Sequence, residues 1–233
     1  MYEQTQGYAS YSPPVAAIDE ARRAQFISRT YQHLLAAIVG FTAIEVVIFK
    51  SGLALPLAQA MVSVSWLVVL GGFMLAAWLF SGMAARAQTR GAQYFALAGY
   101  VVIEAIIFVP LLLVADQNAP GAITSAALLT LVGFGALTGI AMSTAKDFTF
   151  LGGILRWAGV AALLMIVGGV VFGFNLGMFF SFAMVVFAGA TILYTTSRII
   201  RTYPEDRYVS AALELFASVA LMFWYVLRIF SRR

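Results

Sequence analysis

The stretch AQYFALAGYVVIEAIIFVPLLLV, residues 92–114, decides the fold. It runs for 23 residues with one charged side chain, Glu104. A helix needs about 20 largely apolar residues to cross the hydrocarbon core of a bilayer. A buried strand is finished in roughly 4–8. This stretch is therefore a membrane-spanning helix. It has company on both sides: comparable apolar runs lie at 30–49 and 57–83 before it, and at 121–142, 151–172, 177–199 and 208–230 after it. Polar punctuation separates them: Lys50-Ser51-Gly52, residues 86–91, residues 116–121, Lys146-Asp147, Asn175 and residues 201–207.

The composition agrees. Apolar residues make up 62% of the 233-residue chain and charged residues 10%, with a mean hydropathy of +0.93. A soluble domain holds roughly 45–50% apolar and about 25% charged residues. So much apolar surface cannot be covered by so few polar groups in water, and lipid removes the difficulty. The expectation is an all-α polytopic membrane protein of about seven transmembrane helices. Residues 1–25 are expected as a flexible cytoplasmic tail and 26–233 as one transmembrane domain. The opening stretch is rich in Tyr, Gln, Ser and Pro, and lacks the basic start and apolar core of a cleavable signal peptide. Pro13 and Pro14 oppose helix there, and the first helix is expected to start near Ala17, with Asp19 and Glu20 suiting its positive end.

Several chemistries fall away. With no cysteine, there are no disulfides, thiolate metal sites or cysteine nucleophiles. A single histidine, His33, argues against a histidine zinc site or a Ser-His-Asp triad and reads better as an interfacial residue. No His-Glu-x-x-His or Gly-x-Ser-x-Gly pattern occurs, so an enzyme is not expected, and no cofactor. The net charge of +4 comes without a basic patch interleaved with aromatics, which argues against nucleic acid. It fits the positive-inside rule. Placing the N-terminus in the cytoplasm puts Arg22, Arg23, Arg29, Arg86, Arg90, Lys146, Arg156, Arg198, Arg201 and Arg207 on that side, against Lys50, Arg228, Arg232 and Arg233 on the other. The three terminal arginines strain the rule, leaving the seventh span either crossing fully or re-entrant; the full crossing is favoured. Gly135/Gly139 and Gly169/Gly173/Gly177 are small-xxx-small pairs that allow close helix packing.

Carboxylates inside the spans are the candidate functional groups, because an ionised side chain at the bilayer centre costs roughly 2.5–3.5 kcal/mol on insertion scales. Glu104 sits near mid-membrane. Glu45 lies close to the outer end, where it can snorkel or pair with Lys50. Glu214 is within two turns of the inner end. On the last span, Ser210, Glu214, Ser218 and Tyr225 share one helical face; on the span before it, Thr191, Thr195 and Arg198 do the same. If the two stripes meet, they line a hydrated path or close its mouth; alternatively the hydroxyls bond back to their own helices. The loop from Thr144 to Phe148 reads as a solvated turn with Asp147 capping the next helix.

The C-terminal third carries a resemblance. The runs Leu193-Tyr194-Thr195-Thr196-Ser197-Arg198-Ile199-Ile200 and Tyr208-Val209-Ser210-Ala211-Ala212-Leu213-Glu214-Leu215-Phe216, with the ending Leu227-Arg228-Ile229-Phe230, resemble the Bax inhibitor-1 family. Phe26, Tyr31, Thr144 to Phe148 and Leu151-Gly152-Gly153 add to it, so that nearly the whole chain after residue 25 is covered. The resemblance implies six helices around a central seventh, and a pH-sensitive Ca²⁺ leak linked to protection against stress-induced death. Many members carry an aspartate pair as the pH-sensing latch. The matching positions here are Thr195 and Ser218, neither of which titrates near neutral pH, so the aspartate mechanism is in question for this chain. The run 196–200 resembles a bacterial branch that restrains the FtsH membrane protease as a poorly degraded partner. Two functions follow as expectations: a Ca²⁺ or proton leak with Glu45, Glu104, Glu214, Thr195 and Ser218 along its path, or a protease regulator gripped by its tail. Both place the protein in a bacterial inner membrane.

Overall fold

The computed structural model describes residues 12–87, 89–144 and 146–231. A 3-10 turn at Val15–Ala17 leads into eight helices: α1 Glu20–Lys50, α2 Ala54–Ser63, α3 Trp66–Arg86, α4 Arg90–Asn118, α5 Ala122–Ser143, α6 Leu151–Phe172, α7 Gly177–Arg201 and α8 Tyr208–Phe230. All but α2 are long and apolar enough to cross a bilayer. The all-α, multi-span expectation holds, and the predicted spans 151–172 and 208–230 coincide with α6 and α8. Asp19 caps α1, its carboxylate accepting the Arg22 amide at 3.0 Å.

One predicted span is corrected. The run 57–83 is two helices, because Val64 adopts an extended conformation (φ −100°, ψ 155°). Four residues around it, Val62, Ser63, Val64 and Ser65, are weak helix formers, and the Ser63 hydroxyl bonds back to the Ala60 carbonyl at 2.8 Å. Hydropathy is blind to such a break, since Val62 and Val64 offset Ser63 and Ser65 in the apolar sum. The ten-residue α2 lies against α4, with Ala54 and Ala58 packed around Val109.

α8 is the axis of the bundle. It packs on α1, α3, α4, α5 and α7, and 72% of its most apolar window is buried, against none of that of α6. Its sequence explains the position. Small and apolar residues surround its one polar stripe, whose Ser210, Glu214 and Ser218 find their partners within the protein, and Ser210, Ala211, Ala212 and Ala220 let neighbours approach closely. α8 is unbroken and roughly 35 Å long at 1.5 Å per residue, the length of a full crossing. α6 is the opposite case: Trp157 and Phe172 are exposed, an arrangement suited to lipid.

The long helices alternate in direction. The start of α1, the α3–α4 junction, the α5–α6 loop and the α7–α8 loop gather at one end, which we call the basic end. Ser210 donates to the Ala84 carbonyl at 2.7 Å, Arg207 bonds the Ala85 carbonyl, and Gln93 reaches the Asp206 carbonyl at 3.5 Å. The expected tail, 1–25, lies outside the described residues as far as residue 11. Its remainder is tied down: the Val15 amide donates to the Tyr203 carbonyl at 2.8 Å, the Glu205 amide to the Pro13 carbonyl at 3.3 Å, and Arg22 pairs with Glu205. Val15 is fully buried there. Arg232 and Arg233 of the charge count also lie outside the described residues.

The glycine pairs do not mark helix contacts. Nothing lies within 4 Å of where a Cβ would stand on Gly135 or Gly139, whereas Gly173 and Gly177 take φ of +72° and +68° in the α6–α7 turn. Gly169 meets only the turn that follows it, with the Phe174 carbonyl 3.2 Å from where its Cβ would stand, whereas helices approach closely at Gly99 beneath the Phe80 ring and at Gly152 beneath Tyr194.

Candidate functional site

The polar stripes of α7 and α8 meet at the basic end. The Arg198 guanidinium donates to both carboxylate oxygens of Glu214, and the Tyr203 hydroxyl adds a bond to Oε1 at 3.0 Å. Arg198 lies between two aromatic rings, 5.6 Å from Tyr194 and 5.5 Å from Tyr203. Burial, then the charge of Glu214, pushes the Tyr203 phenol up, so it stays a proton donor throughout the physiological range. The cluster ties the α7–α8 loop to both helices.

Beside it the α5–α6 loop is fastened to α7. Asp147 accepts from the Thr149 amide at 2.9 Å and the Ser197 hydroxyl at 3.2 Å, and faces Arg201 at 3.7 Å. Ser197 in turn accepts from the Phe148 amide at 3.1 Å. The Thr149 amide above all, then the Thr149 side chain, Ser197 and Arg201, holds the Asp147 carboxyl below the usual carboxylate range. Asp147 is thus a loop anchor and not the expected cap of α6, whose first turn begins after Phe150. The residues between them form an Asx-type turn that consumes its oxygen.

Below this end a cavity of about 630 Å³ opens between α8 and α6, bounded also by α3, α4 and α7. Glu104, Tyr100, Thr191, Ser218 and Tyr225 bring its polar groups, and Asn175 and Arg228 stand toward the opposite end. Glu104 is 5% exposed, with Tyr100 one turn earlier on α4 beside it in the wall. Ser218 is one turn from Glu214, whose carbonyl takes its hydroxyl at 3.0 Å; Thr191 likewise bonds back to Phe187 at 2.9 Å. Backbone bonding therefore accounts for these hydroxyls, and their oxygens face the cavity with acceptor capacity to spare.

The sequence candidates separate. Glu104 and Ser218 share the cavity. Thr195, the other position matching the family aspartate pair, is buried and lines neither this cavity nor the next. Glu214 is not in the cavity wall but locked to Arg198 above it. Glu45 belongs to a different cavity and does not pair with Lys50: its carboxylate oxygens are buried with no hydrogen-bond partner among the described residues, because the side chain points inward, toward α8. His33 is interfacial in another sense. Nδ1 donates to the Arg29 carbonyl at 2.7 Å, which leaves Nε2 to accept from the Tyr94 hydroxyl at 2.9 Å, with the Tyr208 ring 5.1 Å away. It joins α1, α4 and α8. Sequence reading missed Tyr100 and Tyr203, since a tyrosine, whether in an apolar run or in a polar loop, gives no sign of the carboxylate it will meet.

A protein of Pseudomonas aeruginosa that carries no functional description is 32% identical over 119 residues, a match covering 49% of this chain and 51% of that protein, about half the length of each. The family described as inhibitor of apoptosis-promoting Bax1 matches residues 23–233, all but the first 22 residues of the chain. With seven spanning helices, the last of them central, and a match of that extent, the chain belongs to the Bax inhibitor-1 family.

Proposed function

We propose that this membrane protein is a cation leak pathway, with Glu104 as its midway acid and the Arg198–Glu214–Tyr203 cluster as the closure at the basic end. The observation that carries the reading is a nine-tenths buried carboxylate in the wall of a cavity that stops one helical turn from an ion pair. A lone acid in an apolar bundle is costly unless it faces other polar groups or water. Its chemistry fits the proton best. Ca²⁺ takes 6–8 oxygen ligands, and this wall presents one carboxylate with scattered hydroxyls. The gathering of basic residues at one end supports a cytoplasmic face there, and with it an N-terminus inside a bacterial inner membrane. In a leak linked to stress protection, opening would follow separation of Arg198 from Glu214.

Proton flux into liposomes holding the purified protein, from pH 5 to 8, tests this. Wild type should exceed empty liposomes, and Glu104→Gln, which keeps volume and loses the titratable group, should lower the flux at least about tenfold, as expected for loss of a proton-transfer group. Flux unchanged in Glu104→Gln removes that residue from the path. No flux in wild type ends the leak reading and returns attention to regulation of a membrane protease.

A further inference from the structure

A second cavity, of about 360 Å³, lies toward the opposite end from the Arg198–Glu214 pair, between α1 and α5, with α4 beside it and α8 as its floor. α1 and α5 approach at the basic end, where Tyr31 and Phe134 lie 6.3 Å apart. Farther along they leave a gap whose edges, Val46 and Leu131, are exposed apolar residues, so the cavity opens sideways to lipid. Its wall is almost wholly apolar, with Phe41, Phe49, Phe216 and Phe223 among its faces. Glu45 is set into it, 7% exposed and with both oxygens unpartnered. So is Thr130, 2% exposed, its hydroxyl also unpartnered. Asp116, exposed, stands at the margin. A buried carboxylate without a partner costs several kcal/mol, and this one belongs to a residue in the wall of a volume in the range of small-molecule sites.

We propose that this cavity binds a small amphiphilic amine, whose ammonium pairs with Glu45 and whose apolar body lies among the phenylalanines. The site's chemistry selects that class. A hard divalent cation needs 6–8 oxygens converging on one point, whereas Glu45 is buried in this wall and Asp116 stands exposed at its margin. An ammonium on an aromatic or alkyl body needs one carboxylate, an acceptor or two and ring faces. The lateral opening gives an amphiphile a route from the bilayer. The site is separate from the Glu104 cavity and does not depend on the leak.

The test is the melting midpoint of the full chain in detergent micelles with phenylpropylamine, with phenylpropanol (the same skeleton without the charge) and with calcium chloride. The amine should raise the midpoint by about 3–5 °C at saturation, a shift typical of a ligand well above its Kd, and the alcohol and calcium by far less. Glu45→Gln should weaken the amine at least tenfold. Ala127→Leu, which fills the cavity without touching the acid, should do the same and serves if the first variant does not fold. Equal shifts from amine and alcohol, an amine shift unchanged in the variants, or a larger Glu45-dependent shift with calcium would each overturn the proposal.

Discussion

Arg198 ties α7 to α8 and to the loop between them. It meets Glu214 with its guanidinium, Tyr194 and Tyr203 with its faces, and spans two helices in doing so. The side chains of Arg198 and Glu214 are 33% and 28% exposed, so the pair is neither a freely solvated surface bridge nor a fully desolvated one. Arg198→Ala should lower unfolding stability by about 1–2 kcal/mol, less than the roughly 3–5 kcal/mol of breaking a fully buried pair. Denaturant unfolding in micelles measures that. On the proposed closure the same variant should also leak faster than wild type, because the plug is gone while Glu104 stays. A merely structural pair predicts the loss of stability without the faster leak. Arg198 and Glu214 were both legible as polar residues on helical faces. Their union was not, because sixteen residues and a turn separate them and only the packing of α7 on α8 brings them face to face. Glu45 shows the converse: proximity in sequence suggested Lys50, and the helix turned it inward instead.

The loops and helix contacts give two further tests. A carboxylate whose folded pKa is depressed contributes stability above its ordinary pKa of about 4, and loses it as pH falls through the lower folded value. The Asp147 fastening should therefore be intact from pH 5 to 8 and fail only as pH falls through the lowered value of its carboxyl. Hydrogen exchange at the Phe148 and Thr149 amides, corrected for intrinsic rates, should stay protected across that range and rise at neutral pH in Asp147→Ala. Loosening between pH 6 and 7 would contradict it. At Gly99 an added Cβ would run into the Phe80 ring, whereas at Gly135 it would meet open space. Gly99→Ala should consequently be less stable than Gly135→Ala by about 1–3 kcal/mol, the range of overpacking costs, in the same unfolding assay. Spacing alone pointed to Gly135 and Gly139, since a repeat of four shows that two glycines share a face but not which face meets a neighbour. For the same reason hydropathy found all seven spans but joined α2 to α3: a local break at Val64 leaves the apolar sum unchanged.

The bundle as a whole has a buried axis, a lipid-facing outrigger and a cavity between them. α8 is enclosed by five helices; α6 is held chiefly by α7 and leaves the Glu104 cavity on its inner side. The polar stripe of α8 was readable, but its central place was not, since α6 is the more apolar of the two. What distinguishes them is the company of small residues and polar pairs that α8 draws to itself, which hydropathy does not record. The account rests on that cavity being hydrated from the end opposite the basic one and sealed at the basic end. The chain contains no cysteine, so a single Ser218→Cys gives a clean report to a membrane-impermeant thiol reagent. In oriented vesicles the cysteine should react when reagent is supplied at the end opposite the basic one, stay silent from the basic end, and become reachable from both when Arg198→Ala is added. A cysteine that reacts from neither side, with or without Arg198, would mean a cavity without water and would contradict the pathway.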